Sequence, residues 1–133
     1  MTAATLEAPA FALEIRAADA NSPRRARHWL AWVLEAAHVA QDTIGTAALI
    51  ASELVTNATV HAGGRVLVSA QLVESGVRLI VHDDQAVTDW QEPGGELDEH
   101  GRGLVLVHAL AEVDIDRHAH GTTITALIPR TAQ

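Results

Sequence analysis

Three short stretches of this chain carry residue types and spacings that suit chemistry. In the first, Glu53, Asn57 and His61 stand at i, i+4 and i+8, a spacing that stacks them along one face of a helix. That face lies at the margin of an apolar stripe, so one reading is a plain polar rim. The other is ligand chemistry. An amide oxygen is a hard ligand suited to Mg2+, and a carboxylate one turn away can orient or deprotonate a nucleophile. In the second stretch, Leu79-Ile80-Val81-His82-Asp83 reads as a strand ending in an acid. An Asp at that point caps a turn, or accepts a hydrogen bond from an adenine amino group in an apolar pocket. In the third, Gly101-Arg102-Gly103 opens a helix. Its glycines permit close backbone approach, and a helix N-terminus presents unpaired N–H groups to an anion. The stretch is no P-loop, because Gly-x-x-x-x-Gly-Lys is absent.

The elements that must position these residues follow from periodicity. Residues 1–9 are Ala/Thr-rich and read as a flexible N-terminus, with a single domain over 10–133. Phe11 to Ile15 alternates with period two, the pattern of a strand. Ser22-Pro23 supplies an N-cap and a first-turn proline. Ala26, Trp29, Leu30, Val33, Leu34 and Ala37 then recur at helical spacing to about residue 39. Asp42 or Thr43 caps a second helix with the stripe Ile44, Ala47, Ala48, Ala51, Leu54, Val55, Ala58, stopping near Gly63-Gly64. Val66–Leu72 and Val77–Val81 form a hairpin through Glu74-Ser75-Gly76. Residues 84–100 hold Pro93, Gly94, Gly95 and several acids with no apolar period, the composition of a functional loop. A third helix follows Gly103. A second hairpin pairs Val113–Asp116 with Thr123–Leu127. The order predicts an α+β fold: a two-layer α/β sandwich with a mixed, mostly antiparallel sheet and helices on one face.

Bulk properties exclude several function classes. The chain has 133 residues, 48% of them hydrophobic and 20% charged, proportions of a folded globular protein. A net charge of -8 argues against a nucleic-acid partner. Arg24-Arg25-x-Arg27 reads as the solvated face of a helix. With no cysteine, thiolate catalysis, disulfides and Cys-based zinc sites are all excluded. No basic leader opens the chain, and no apolar run approaches the ~20 residues that span a bilayer. The expected setting is therefore cytoplasmic, away from any membrane.

Taken together, the motifs resemble a known family. Ser52-Glu53-Leu54-Val55-Thr56-Asn57-Ala58-x-x-His61-Ala62 closely resembles the N box of the GHKL ATPases, which share the Bergerat fold. More narrowly it resembles their stand-alone serine-kinase/anti-sigma-factor branch. Gly101-Arg102-Gly103-Leu104-x-Leu106-Val107 is similar to that branch's second glycine box, and Gly121-Thr122-Thr123-Ile124 to its terminal Gly-x-Thr-Val signature. The likeness runs from about Phe11 to Pro129 in the family's order.

The resemblance implies ATP and Mg2+ as cofactors. Asn57 would coordinate Mg2+ and Glu53 would be the general base. Asp83 would contact the adenine amino group with Thr123 supporting that end. Gly101, Arg102, Gly103 and Leu104 would line the phosphates, with Arg102 stabilising developing charge and His61 near the phosphates. Residues 84–100 would act as a lid. The implied activity is transfer of the ATP γ-phosphate to Ser or Thr of an STAS-type anti-sigma-factor antagonist, binding of a sigma factor, or both. The alternative is a nucleotide-gated module that sequesters a regulatory partner without catalysis. The branch also implies a homodimer. One departure stands out. The family's first glycine box reads Asp-x-Gly-x-Gly, and here it is Asp83-Asp84-Gln85-Ala86-Val87. Side chains at 85 and 87 would narrow the adenine cleft or weaken binding. His118-x-His120 with Asp114 and Asp116 is compatible with a metal, but alternate strand residues beside a turn more often face solvent.

Overall fold

The computed structural model describes residues 10–61, 64–84, 99–118 and 121–130, with the backbone alone at 59–61 and 99–104. Strand β1 (Ala10–Ile15) leads into α1 (Ser22–Ala36) and α2 (Gln41–His61). Then come β2 (Val66–Val73), β3 (Gly76–Asp83), α3 (Glu99–Leu110), β4 (Glu112–His118) and β5 (Gly121–Pro129). The strands form one sheet in the order β1-β2-β3-β5-β4. Every neighbouring pair is antiparallel, so the expected mostly antiparallel sheet has no parallel pair among the described strands. Each hairpin brings a strand back beside its predecessor, and β5 inserts between β3 and β4.

Alternation decides the two faces of the sheet. Val66, Val68 and Ala70 of β2, Val77, Leu79 and Val81 of β3, and Ile124, Ala126 and Ile128 of β5 are all buried. They meet Leu30, Val33 and Leu34 of α1 and Ile44, Ala47, Ile50, Ala51, Leu54, Val55 and Ala58 of α2 in a single hydrophobic cluster. Burying one such leucine or isoleucine contributes about 1.5–3 kcal/mol. The core is therefore aliphatic, as a chain with one phenylalanine and three tryptophans requires. This is the two-layer α+β sandwich, with helices covering one face.

Two helix starts differ from expectation, both through local hydrogen bonding. Ser22 lies inside α1 and Asn21 takes the cap position without a side-chain bond. The Ser22 hydroxyl turns back instead, accepting from the Asp19 amide (2.8 Å), while Asp19 Oδ1 accepts from the Asn21 amide (2.9 Å). Helix α2 begins at Gln41, ahead of both expected caps, with its first bond from the Ile44 amide to the Ala40 carbonyl (3.0 Å). Asp42 then sits in the first turn, where a carboxylate suits the positive end of the dipole. Arg24, Arg25 and Arg27 are exposed, as a solvated face requires. Among the described residues no helix is long and apolar enough to cross a membrane.

Candidate functional site at one end of the sheet

The register brings several chain segments to one end of the sheet. Val66, the first residue of β2, pairs with Asp83, the last of β3. Asp83 pairs in turn with Thr122 near the start of β5. Helix α2 ends at His61, only four residues before β2, so its final turns lie at that same end. Helix α3 packs on α2 and hands over to β4 at the far end, where Glu112 pairs with Leu127. Its 12 residues span roughly 18 Å at 1.5 Å per residue, which carries its N-terminus back towards Asp83.

On α2 the polar residues of the expected motif divide into two groups. Ser52 Oγ donates to the Leu49 carbonyl (3.0 Å) and Thr56 Oγ1 to the Ser52 carbonyl (2.7 Å). These hydroxyls are engaged by the helix itself. Glu53 is half-buried, and Asn57 is 5% exposed beside the fully buried Leu54 and Val55. The pair sits one turn apart at the rim of the core. An amide held this deep is positioned by packing. His61 closes α2, and its side chain falls outside the described residues.

On the sheet, Asp83 is 5% exposed and points to the helix-covered side with Val81 and Leu79. Thr122 stands opposite it at 2% exposure, and its Oγ1 is buried without a hydrogen-bond partner among the described residues. Gly121 comes before it at φ 138, and a Cβ there would overlap the Asp83 carbonyl oxygen. Only glycine takes that backbone without strain, so the Gly-Thr order lets β5 close onto β3. Thr123 lies on the opposite, uncovered face, where its Oγ1 is 2.8 Å from His82 Nδ1. Thr122 is thus a polar group that the sequence reading did not single out. Alternation from Ile124, Ala126 and Ile128 was the signal for its inward position.

Gly101, Arg102, Gly103 and Leu104 lie within the first turns of α3, which starts at Glu99 and not after the glycines. Their side chains, and residues 85–98 of the expected lid, fall outside the described residues. The backbone placement keeps Gly101 and Arg102 among the first four residues of the helix, whose N–H groups lack intrahelical partners. His120 and residues 1–9 also lie outside the described residues. Among the described residues no three His, Cys, Asp or Glu side chains are grouped to hold a metal ion. A cavity of about 500 Å3 lies at the other end of the sheet, between His38, Gln41, Leu72 and Arg130, and none of the expected site residues lines it.

Helices thus cover one face of an antiparallel sheet, with a half-buried acid–amide pair on α2 and a buried Asp–Thr pair at the strand ends. The histidine kinase-like ATPase domain pattern matches residues 16–128, and the chain belongs to that GHKL family. It is similar to the RsbU and RsbW domains of a Mycobacterium tuberculosis protein. The TM-score is 0.69 at 26% identity, over 92% of this chain and 33% of that one. It is also similar to the histidine kinase domain of a blue-light activated histidine kinase from Erythrobacter litoralis. There the TM-score is 0.53 at 31% identity, over 66% of this chain and 45% of the other. The chain therefore spans less than half the length of either structure. No protein of curated function matches it.

ATP is the nucleotide the family implies, and the residues present fit it. Thr122, whose buried hydroxyl has no hydrogen-bond partner among the described residues, pairs in register with Asp83, and the two side chains are of the donor and acceptor types that an adenine edge matches. The Asn57 amide is a suitable hard ligand for Mg2+.

Proposed function

We propose that this chain is a Mg-ATP-dependent protein serine/threonine kinase of the anti-sigma-factor type. Its acceptor is a Ser or Thr of an STAS-type antagonist, and the same chain binds a sigma factor. The observation that carries the reading is the arrival of Glu53 and Asn57 from α2 and Asp83 and Thr122 from the sheet at one end of the fold. The likeness to a structure containing an RsbW domain supports the regulatory setting.

In this reading Asp83 accepts from the adenine amino group and Thr122 completes the hydrogen bonding of that edge, with Thr123 behind them on β5. Asn57 holds Mg2+, which when bound supplies charge neutralisation at the phosphates. Gly101, Arg102, Gly103 and Leu104 line the phosphates with His61 nearby, and Arg102 stabilises charge developing on the transferred group. Glu53 takes the proton of the attacking hydroxyl as the new P–O bond forms and the bond to ADP breaks. Positioning and electrostatics supply most of the rate.

The test is incubation of γ-labelled ATP with the protein and its cognate antagonist. Transfer is expected, with loss of at least about a hundredfold in Glu53→Ala, the usual scale for a general base. Transfer that persists unchanged in that variant removes Glu53 from the role. A second reading is favoured by the absence of both glycines after Asp83. There the domain sequesters a sigma factor or another regulator, and nucleotide only sets its conformation. Calorimetry separates the two: partner binding without phosphoryl transfer supports the module.

A further inference from the structure

At the opposite end of the sheet from Asp83, the turn between α1 and α2 and the β2–β3 hairpin line a cavity of about 500 Å3. That volume lies within the roughly 300–1,000 Å3 of small-molecule sites. Its walls continue the core. Val39 and Leu72 are half-buried against the central cluster, Val77 belongs to that cluster, and Ala37 and Ala40 add only methyl groups. Three polar residues complete the lining, His38, Gln41 and Arg130, and no Asp or Glu is among them.

Arg130 is anchored at the strand ends. Its amide donates to the Ser75 carbonyl (3.1 Å), and its Nη2 donates to the Val73 carbonyl (3.2 Å). The other N–H groups of the guanidinium have no partner among the described residues. A planar carboxylate matches that fork better than any other anion of similar size. Gln41 Nε2 donates to Glu35 Oε2 (3.4 Å), which leaves Arg130 and His38 to face a ligand.

His38 supplies a second indication. It ends α1 at φ 64, with its amide bonded to the Glu35 carbonyl (3.0 Å) and the Val39 amide to the Leu34 carbonyl (3.1 Å). Such a helix stop favours glycine, because a Cβ is strained in the left-handed region. The chain places an imidazole-bearing residue there all the same, on the cavity wall.

We propose that this cavity is a second ligand site, specific for a small carboxylate with an aliphatic body. The carboxylate pairs with Arg130 and accepts from His38, while the hydrocarbon lies on Val39, Leu72 and Val77. Gln41 and Asn57 stand roughly 24 Å apart along α2 at 1.5 Å per residue. The two sites therefore do not overlap, and the inference does not depend on the nucleotide reading.

NMR titration of the intact chain with octanoate, octanol and octylammonium tests it. Octanoate should shift the methyl groups of Val39, Leu72 and Val77 and saturate with a Kd of about 1 mM or tighter. Octanol should bind at least about tenfold more weakly, the factor for one charge-assisted hydrogen bond. Octylammonium should leave these methyl groups unmoved. Arg130→Gln should weaken octanoate by the same factor and leave octanol as it was. His38→Gly should raise the melting temperature by relieving the strained stop, and still weaken octanoate; a residue serving only to end the helix would give the first change without the second. Equal affinity for octanoate and octanol, or no saturation by octanoate, overturns the proposal. So does full octanoate affinity in a folded Arg130→Gln or in a stabilised His38→Gly.

Discussion

Asp83 and Thr122 stand opposite each other on β3 and β5, both buried on the helix-covered side of the sheet, with the Thr122 hydroxyl lacking a hydrogen-bond partner among the described residues. A buried unpaired hydroxyl costs about 1–3 kcal/mol. A ligand or an ordered water that bonds to it removes that cost.

Thr122→Val removes the hydroxyl at nearly constant shape. The free protein should be as stable as the parent or more stable by about 1 kcal/mol, while ATP affinity drops. Urea unfolding and calorimetry on the same variant give both readouts. Undiminished ATP affinity would show that the hydroxyl serves no nucleotide.

Gly121→Ala and Gly76→Ala form a matched pair. Each glycine has positive φ and a backbone carbonyl where a Cβ would go, that of Asp83 for Gly121 and that of Ile128 for Gly76. Both variants should lose about 1–3 kcal/mol or more, read as a lower melting temperature. Only Gly121→Ala, at the Asp83 end, should also weaken nucleotide binding below its melting range.

Two leucines of α2 should behave differently. Leu54 is fully buried against the sheet and Leu49 is 38% exposed. Leu54→Ala should cost about 2–5 kcal/mol, and Leu49→Ala about 0.5 kcal/mol or less. Equal losses in denaturant melts would contradict the orientation of the helix.

Neighbouring polar residues on α2 should separate in function. The Thr56 hydroxyl is bonded to the Ser52 carbonyl of its own helix, so Thr56→Ala should leave Mg-ATP affinity unchanged. Asn57→Ala should reduce it at least about tenfold, the loss of roughly 1.4 kcal/mol that one ligand or charge-assisted bond supplies. Titration of both variants with Mg-ATP decides it.

Much of the fold was legible because the apolar pattern switches cleanly between two periods. Alternation at Phe11–Ile15, Val66–Leu72 and Thr123–Leu127 and the 3.6-residue stripes of α1 and α2 all reappear as elements. Helix starts were less legible. At Asp19–Ser22 and at Ala40–Gln41 the cap is chosen by local hydrogen bonds that compete within two residues. The start of α3 was missed for a related reason, since two glycines read as a loop even where a first turn accommodates them.

By itself the sequence determined the chemistry on each element. Glu53 and Asn57 share a helix face because four residues make about one turn, and Asp83 ends a strand because the apolar run stops there. Only the tertiary structure decided which of these residues meet. The pairing of β5 beside β3, across a helix and another strand, sets Thr122 and not Thr123 against Asp83. It also brings His118 of β4 onto His82. A register is a long-range choice, and a slip of one residue would exchange the two threonines between faces.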